Sequence, residues 1–209
     1  LVCVENTANR GGGKVWPLQK LAEVKKTAHE NGLKIHLDGA RLWNAAAYLK
    51  ISESEIANHF DSVSVCFSKG LGAPVGSALA GNIDFIKEAR RFRKQFGGGM
   101  RQAGIIAAGA LYALENNRER LKVDHNNAKI FADGLAKING IEINPDDVET
   151  NIINFRVQGI TIDELIDRLN EQGTRVLAKD SITIRAVTNL MVTESQINIV
   201  LDQVKNVMM

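Results

Sequence analysis

The chain has 209 residues, 44% hydrophobic and 24% charged, an ordinary globular composition with enough apolar content to build one large domain or two small ones. A formal net charge of +2, from 26 basic and 24 acidic residues, is too small to argue for nucleic acid or a membrane surface, and neither is expected as a partner. No apolar run reaches the length of a membrane-spanning helix.

Leu1-Val2-Cys3-Val4 reads as a short buried strand. With no methionine and no charged leader, it implies that the chain begins inside an element and that an upstream part is missing. A cytoplasmic location is expected, although a targeting segment could lie in that upstream part. Cys3 and Cys66 both sit in apolar, strand-like runs and read as buried thiols, with neither a disulfide framework nor metal-ligand spacing, so no metal site is expected.

The polar turn Glu5-Asn6-Thr7-Ala8-Asn9-Arg10 runs into Gly11-Gly12-Gly13, a loop. Pro17 opens a helix that runs to about Glu30 and stops at Asn31-Gly32. Leu33 to Leu37 is the next strand, and Asp38-Gly39-Ala40-Arg41 leads into a helix from Leu42 to Leu49. A short helix is expected from Ser54 to His59, a strand from Ser62 to Phe67, and strand-like Leu79-Ala80 before Gly81-Asn82. A basic helix from Asp84 to Phe96 and an alanine-rich helix from Arg101 to Leu114 follow, separated by Gly97-Gly98-Gly99.

From about Arg118 the texture changes. A long amphipathic helix runs to Lys137, followed by a strand at Ile152 to Val157 and a helix from Ile162 to Gln172. Strands at Arg175 to Leu177 and Ile182 to Val187 and a helix from Thr193 complete the chain. Residues 1–117 therefore read as part of an α/β domain with a mostly parallel sheet, and residues 118–209 as a small α+β domain.

Asp38 and Lys69 fall at the ends of successive candidate strands. In a parallel sheet such ends converge on one crevice. Lys69 precedes Gly70, Gly72 and Gly76, with Leu71 and Val75 as apolar anchors, so it stands on a packed turn. Such a lysine suits imine chemistry, and a carboxylate beside it suits the ring nitrogen of a pyridoxal cofactor. Arg41 can grip a carboxylate with a bidentate fork. The bland alternatives are a surface lysine on a turn and a helix N-cap followed by an incidental arginine.

Five stretches carry a resemblance: Glu5-Asn6-Thr7, Gly11-Gly12-Gly13, His36-Leu37-Asp38-Gly39-Ala40-Arg41-Leu42, Ser68-Lys69-Gly70-Leu71-Gly72-Ala73-Pro74-Val75-Gly76-Ser77, and Gly97-Gly98-Gly99-Met100-Arg101-Gln102-Ala103-Gly104. Together they resemble the low-specificity L-threonine aldolases, pyridoxal-phosphate enzymes of the aspartate-aminotransferase fold. The resemblance implies the later part of a large cofactor domain plus the small domain, and retro-aldol cleavage of L-threonine or L-allo-threonine to glycine and acetaldehyde. It implies that Lys69 forms the covalent link to pyridoxal phosphate and that Asp38 pairs with the ring nitrogen. Arg41 then holds the substrate carboxylate or the cofactor's ring oxygen. Arg101 would lie near the phosphate, reaching the site of a neighbouring subunit in a homodimer or homotetramer. Arg185, in Thr183-Ile184-Arg185-Ala186-Val187, matches the small-domain arginine that grips the amino-acid substrate's carboxylate; the other reading is an exposed strand residue. Rivals are a β-eliminating lyase or transaminase of the same fold, and a non-catalytic or truncated paralogue.

Two positions depart from the family pattern: Ala8 stands where histidine follows Glu-Asn-Thr, and Asn189 where histidine is common. The family's phosphate-cradling loop and ring-stacking residue precede the region matching Leu1. Elsewhere, His29, His59 and His125 read as surface residues and His36 as a packed neighbour of Asp38. Trp16 and Trp43 read as core or interface, and the run from Arg90 to Lys94 as a solvated face. Gly97 to Gly99 fits either a phosphate nest or a tight turn between helices.

Overall fold

A computed structural model describes all 209 residues, which divide into two compact units: Leu1–Thr7 with Val15–Leu121, and Ala8–Lys14 with Lys122–Met209.

The first unit contains β1 (Val2–Glu5), α1 (Leu18–Glu30), β2 (Ile35–Gly39), α2 (Leu42–Leu49), α3 (Glu53–Ala57), β3 (Ser62–Cys66), β4 (Ser77–Gly81), α4 (Ile83–Gln95) and α5 (Gly104–Asn116). Its sheet has the order β1-β2-β3-β4; β1, β2 and β3 run parallel and β4 returns antiparallel to β3. Leu21 and Ala28 of α1, Ile35 and Leu37 of β2, Ala45 and Ala46 of α2, Ile56 and Val63 close one core around this sheet. A second cluster joins Trp43, Leu71, Ala73, Ala110, Ala113 and Leu121, and fastens the loop after β3 to α5.

Local chemistry sets the boundaries. Pro17 is the N-cap of α1, and Asn31 with left-handed Gly32 (φ 68°) ends it. That cap also takes the Leu33 amide, which donates to the Ala28 carbonyl at 2.9 Å. The strand therefore starts at Ile35, two residues later than the pattern suggests, and carries Asp38 and Gly39 into the ladder opposite Ser64 and Val65. Ser52 and Glu55 form a capping box on α3. Gln102, with φ 49°, interrupts the expected helix from Arg101, so α5 begins at Gly104. Cys3 is exposed and Cys66 half-buried, against the expectation for both. In β1 the period of two turns Val2 and Val4 toward the core, leaving Cys3 on the other face.

The second unit holds α6 from Lys122 onward (Leu121–Leu135), β5 (Ile141–Glu142), β6 (Ile152–Val157), α7 (Ile162–Glu171), β7 (Leu177–Ala178), β8 (Thr183–Val187) and α8 (Glu194–Met208). Its sheet, in the order β5-β6-β8-β7, is antiparallel throughout. One face carries Ile153, Phe155, Val157 and Ile184 into a core with Phe131, Leu135, Leu165, Leu169, Ile197 and Val204. Phe131 meets Phe155 edge to face at 6.3 Å. The alternate positions of β6 and β8, Asn154 and Arg185, turn to the opposite face and stand directly across from each other. Two-residue β5 and the single helical turn at Pro145–Asp147 are too short to carry a periodic signal, and the sequence pattern missed both.

No helix is long and apolar enough to cross a membrane.

Candidate active site

Parallel pairing gives β1, β2 and β3 a common C-terminal edge. Glu5, Asp38 and Ser64 form one row across it, with Asn6 one residue beyond. Lys69 follows β3 by three residues. The two groups singled out for their chemistry thus leave adjacent parallel strands at the same edge, where ligands of open α/β sheets bind.

The Lys69 turn is tightly bonded through its backbone. Gly72 N donates to Lys69 O at 2.8 Å, Ala73 N to Phe67 O at 3.0 Å and Phe67 N to Gly76 O at 3.0 Å. Leu71 and Ala73 are buried at 1% and 5% exposure, so the loop is anchored on both sides of Gly72. Gly70 fits because it has no Cβ: one placed there would lie 2.8 Å from Leu121 Cδ2 and 2.9 Å from Asn44 Oδ1. Lys69 itself is exposed, and its ammonium has no hydrogen bond or ion pair within the chain.

Asp38 is exposed, and its Oδ1 accepts from the Ala40 amide at 3.1 Å, leaving Oδ2 open. His36, half-buried, faces the Ser62 hydroxyl at 2.8 Å through Nδ1. At the end of β1 lie two fully buried polar residues to which the sequence assigned no role. Asn6 bonds the Asp38 carbonyl through its amide at 3.0 Å, yet its Nδ2 and the Thr7 Oγ1 have no partner. Buried donors left unpaired each cost about 1–3 kcal/mol, a cost relieved by a ligand that accepts from them. Only their membership of the Glu5-Asn6-Thr7 motif hinted at them.

This set fits pyridoxal phosphate. Lys69 offers an unpaired amine for the aldehyde carbon, Asp38 an open carboxylate oxygen for the ring N–H, and Asn6 and Thr7 unpaired donors beside Asp38. Arg41, half-buried, is the N-cap residue of α2, three positions past Asp38. Arg101 is exposed and lies outside α5, on the segment between α4 and α5. Gly97 and Gly98 donate their amides to Lys94 O and Arg93 O at 3.1 and 2.7 Å, which makes this segment a helix-ending turn and not an open phosphate nest.

In the second unit Arg185 is half-buried. Its Nη2 donates to Asn9 Oδ1 at 2.8 Å and its Nε is buried without a partner. It is not a simple exposed strand residue.

His29 is exposed and meets Asp61 at 3.1 Å. Burial and the Lys25 charge lower the His59 pKa. His125 corrects the sequence expectation: it is half-buried on α6, and burial pushes its pKa down to about 4. Trp43 is core, packed 5.5 Å from Phe67, and Trp16 is 37% exposed.

The family of beta-eliminating lyases matches residues 1–158. The chain is 40% identical over 201 residues to low-specificity L-threonine aldolase 1 of Arabidopsis thaliana, covering 95% of this chain and 56% of that protein. It is 43% identical over 199 residues to the low specificity L-threonine aldolase of Escherichia coli K12, covering 94% and 57% respectively. It thus spans little more than half the length of these relatives. The solved threonine aldolase of Leishmania major superposes with a TM-score of 0.79 at 23% identity, covering 100% of this chain and 61% of that one. At that identity the likeness speaks for the fold alone, an α/β unit with a mostly parallel sheet beside a second, antiparallel sheet.

Proposed function

This chain belongs to the beta-eliminating lyase family, and from that premise we propose that it carries the lysine half of a pyridoxal-phosphate site for cleaving β-hydroxy-α-amino acids. L-Threonine or L-allo-threonine would yield glycine and acetaldehyde. The observation that carries the reading is the common edge of β2 and β3, from which the open Asp38 carboxylate and the unpaired Lys69 amine both emerge. The similarity to curated threonine aldolases supports the choice of substrate.

Pyridoxal phosphate, when bound, supplies an electron sink for the pair left on Cα as the Cα–Cβ bond breaks. The chain supplies the rest. Lys69 would hold the cofactor at its aldehyde carbon. Asp38 keeps the ring nitrogen protonated, its own position fixed by the Ala40 amide. Arg41 and Arg185 are the candidate grips for the substrate carboxylate. The β-hydroxyl loses its proton as Cβ becomes the aldehyde carbon, and Cα takes up a proton to become glycine. For a homo-oligomer, the support is the exposed apolar surface of α4, α5 and their junction: Phe92, Phe96, Ile105 and Tyr112 are 43%, 81%, 86% and 65% exposed.

The test is a titration of the chain with pyridoxal phosphate beside Lys69→Ala, followed by product analysis with threonine. The visible band of the lysine-bound cofactor is expected in the parent and absent in Lys69→Ala. A band that persists in Lys69→Ala would refute the assignment. The family match also favours β-elimination as the second reading; ammonia with a 2-oxo acid, in place of acetaldehyde with glycine, would select it.

A further inference from the structure

We propose that Asn9 is a positioning residue that presents the Arg185 guanidinium to a carboxylate ligand; the identity of that ligand as the substrate rests on the reading above. Ile184 lies in the core, so the alternation of β8 sends Arg185 to the opposite face. There its Nη2 donates to Asn9 Oδ1 at 2.8 Å, and no carboxylate of the chain pairs with it. Its Nε is buried and unpaired, and so is the Oδ1 of Asn154, directly opposite on β6. A guanidinium taken partly out of water without a counter-charge is held at a cost. A carboxylate ligand supplies the missing charge and accepts two parallel N–H bonds.

The group that holds Arg185 is an amide, and this matters. A carboxylate at position 9 would orient the guanidinium but also neutralise it and occupy the donors a ligand needs. An amide oxygen fixes the geometry and leaves the charge uncancelled.

Asn9 is itself held by a compact loop. Gly13 N donates to Ala8 O at 2.8 Å and Gly12 N to Asn9 O at 3.3 Å. Thr150 Oγ1 donates to Gly13 O at 2.7 Å, Lys179 Nζ to Arg10 O at 3.0 Å, and Lys14 pairs with Asp147 at 2.8 Å. Gly12 and Gly13 have φ of 77° and 76°, and a Cβ on either would press within 2.8 Å of Asn154 Nδ2 or 2.5 Å of Thr150 Oγ1. The side chain that touches Arg185 therefore stands on a scaffold fastened to the same sheet.

The test follows the Arg185 Nε–H resonance of the full chain as acetate is added, in the parent, Asn9→Ala and Asn9→Asp. The parent resonance is expected to shift saturably. Asn9→Ala should weaken acetate by about tenfold, the size of one hydrogen bond to a charged group. Asn9→Asp should weaken it further, by about a hundredfold, because its carboxylate takes acetate's place. A purely structural role would affect both variants alike. An unresponsive parent resonance, or acetate affinity within about twofold of the parent in both variants, would overturn the proposal. The KM for threonine in pyridoxal-phosphate-loaded parent, Asn9→Asp and Arg185→Leu separates the two claims. A raised KM in Arg185→Leu but not in Asn9→Asp defeats the positioning role alone. An unchanged KM in Arg185→Leu, with acetate binding still dependent on Asn9, leaves the positioning intact and refutes the substrate assignment.

Discussion

Gly39→Ala should loosen the edge of the sheet that carries Asp38. Gly39 is the last residue of β2, buried, and pairs with Val65 of β3. A Cβ built there lies 2.8 Å from the Ser64 carbonyl oxygen, 3.3 Å from Leu42 Cβ and 3.4 Å from Val63 Cγ1. The nearest of these atoms is backbone in a neighbouring strand and cannot rotate away, so β2 has to move from β3. Overpacking of this kind costs about 1–3 kcal/mol. The close approach to backbone puts the expectation at about 2 kcal/mol, or roughly 4–8 °C in Tm for a chain of this size. Urea unfolding followed by tryptophan fluorescence isolates the effect, because both tryptophans, Trp16 and Trp43, belong to this unit. Gly104→Ala is the control: it opens α5, its Cβ would meet nothing within 4 Å, and its φ is compatible with a side chain. It should stabilise by about 0.4–1 kcal/mol. Because Asp38 precedes Gly39, the Gly39 variant should also lose affinity for pyridoxal phosphate. Equal stabilities for the two variants, to within about 0.5 kcal/mol, would refute the steric argument.

Two pH-dependent outcomes follow from single groups. The Asp61 carboxylate accepts from the Ile35 amide at 2.8 Å and faces His29 and Lys34, which together hold its pKa at about 2, below its ordinary 3.8. Its stabilisation is therefore fully present above that ordinary value and lost as pH falls toward 2. Asp61→Asn should be less stable than the parent at pH 6 and converge with it by pH 2 in urea titrations. His125 behaves in the opposite chemical sense: burial lowers its pKa from 6.5 to about 4, so between those values the unfolded chain binds the extra proton. It should weaken the fold progressively as pH drops from 6.5 to 4. An NMR titration of its ring protons with a midpoint near 6.5 would refute the burial argument.

Much of the fold was legible because its signals are local. Pro17 and the run into Lys69 each mark a boundary with chemistry confined to a few residues, whereas the Ser52–Glu55 capping box, which starts α3 at Glu53 and not at Ser54, was overlooked. The misplacements have non-local or competing causes. The start of β2 moved because the α1 cap consumed the Leu33 amide, and α5 lost its first turn to the left-handed backbone of Gln102. The depth of His125 depends on what packs over α6, which helical periodicity does not report. Asp38 and Lys69 were legible as a pair because parallel strands bring their ends to one edge wherever the loops run. Asn6, Thr7 and Asn9 were not, since an unpaired buried donor or a hydrogen bond spanning positions 9 and 185 exists only after folding.

The groups with chemistry are positioned by residues that have none. Lys69 is exposed, but Leu71 and Ala73 fix the turn behind it and Gly70 lets Asn44 and Leu121 close against its backbone. Asp38 is exposed, but Gly39 allows β2 to seat against the Ser64 carbonyl. Arg185 is oriented by Asn9, on a loop whose path requires Gly12 and Gly13. In each case the reactive or binding group keeps an open valence while a small residue beside it permits the close backbone packing that fixes it. Substituting the charged groups should therefore abolish binding with little loss of stability. Adding a single methyl group at the neighbouring glycines should cost stability and binding together, because there the two depend on the same contact.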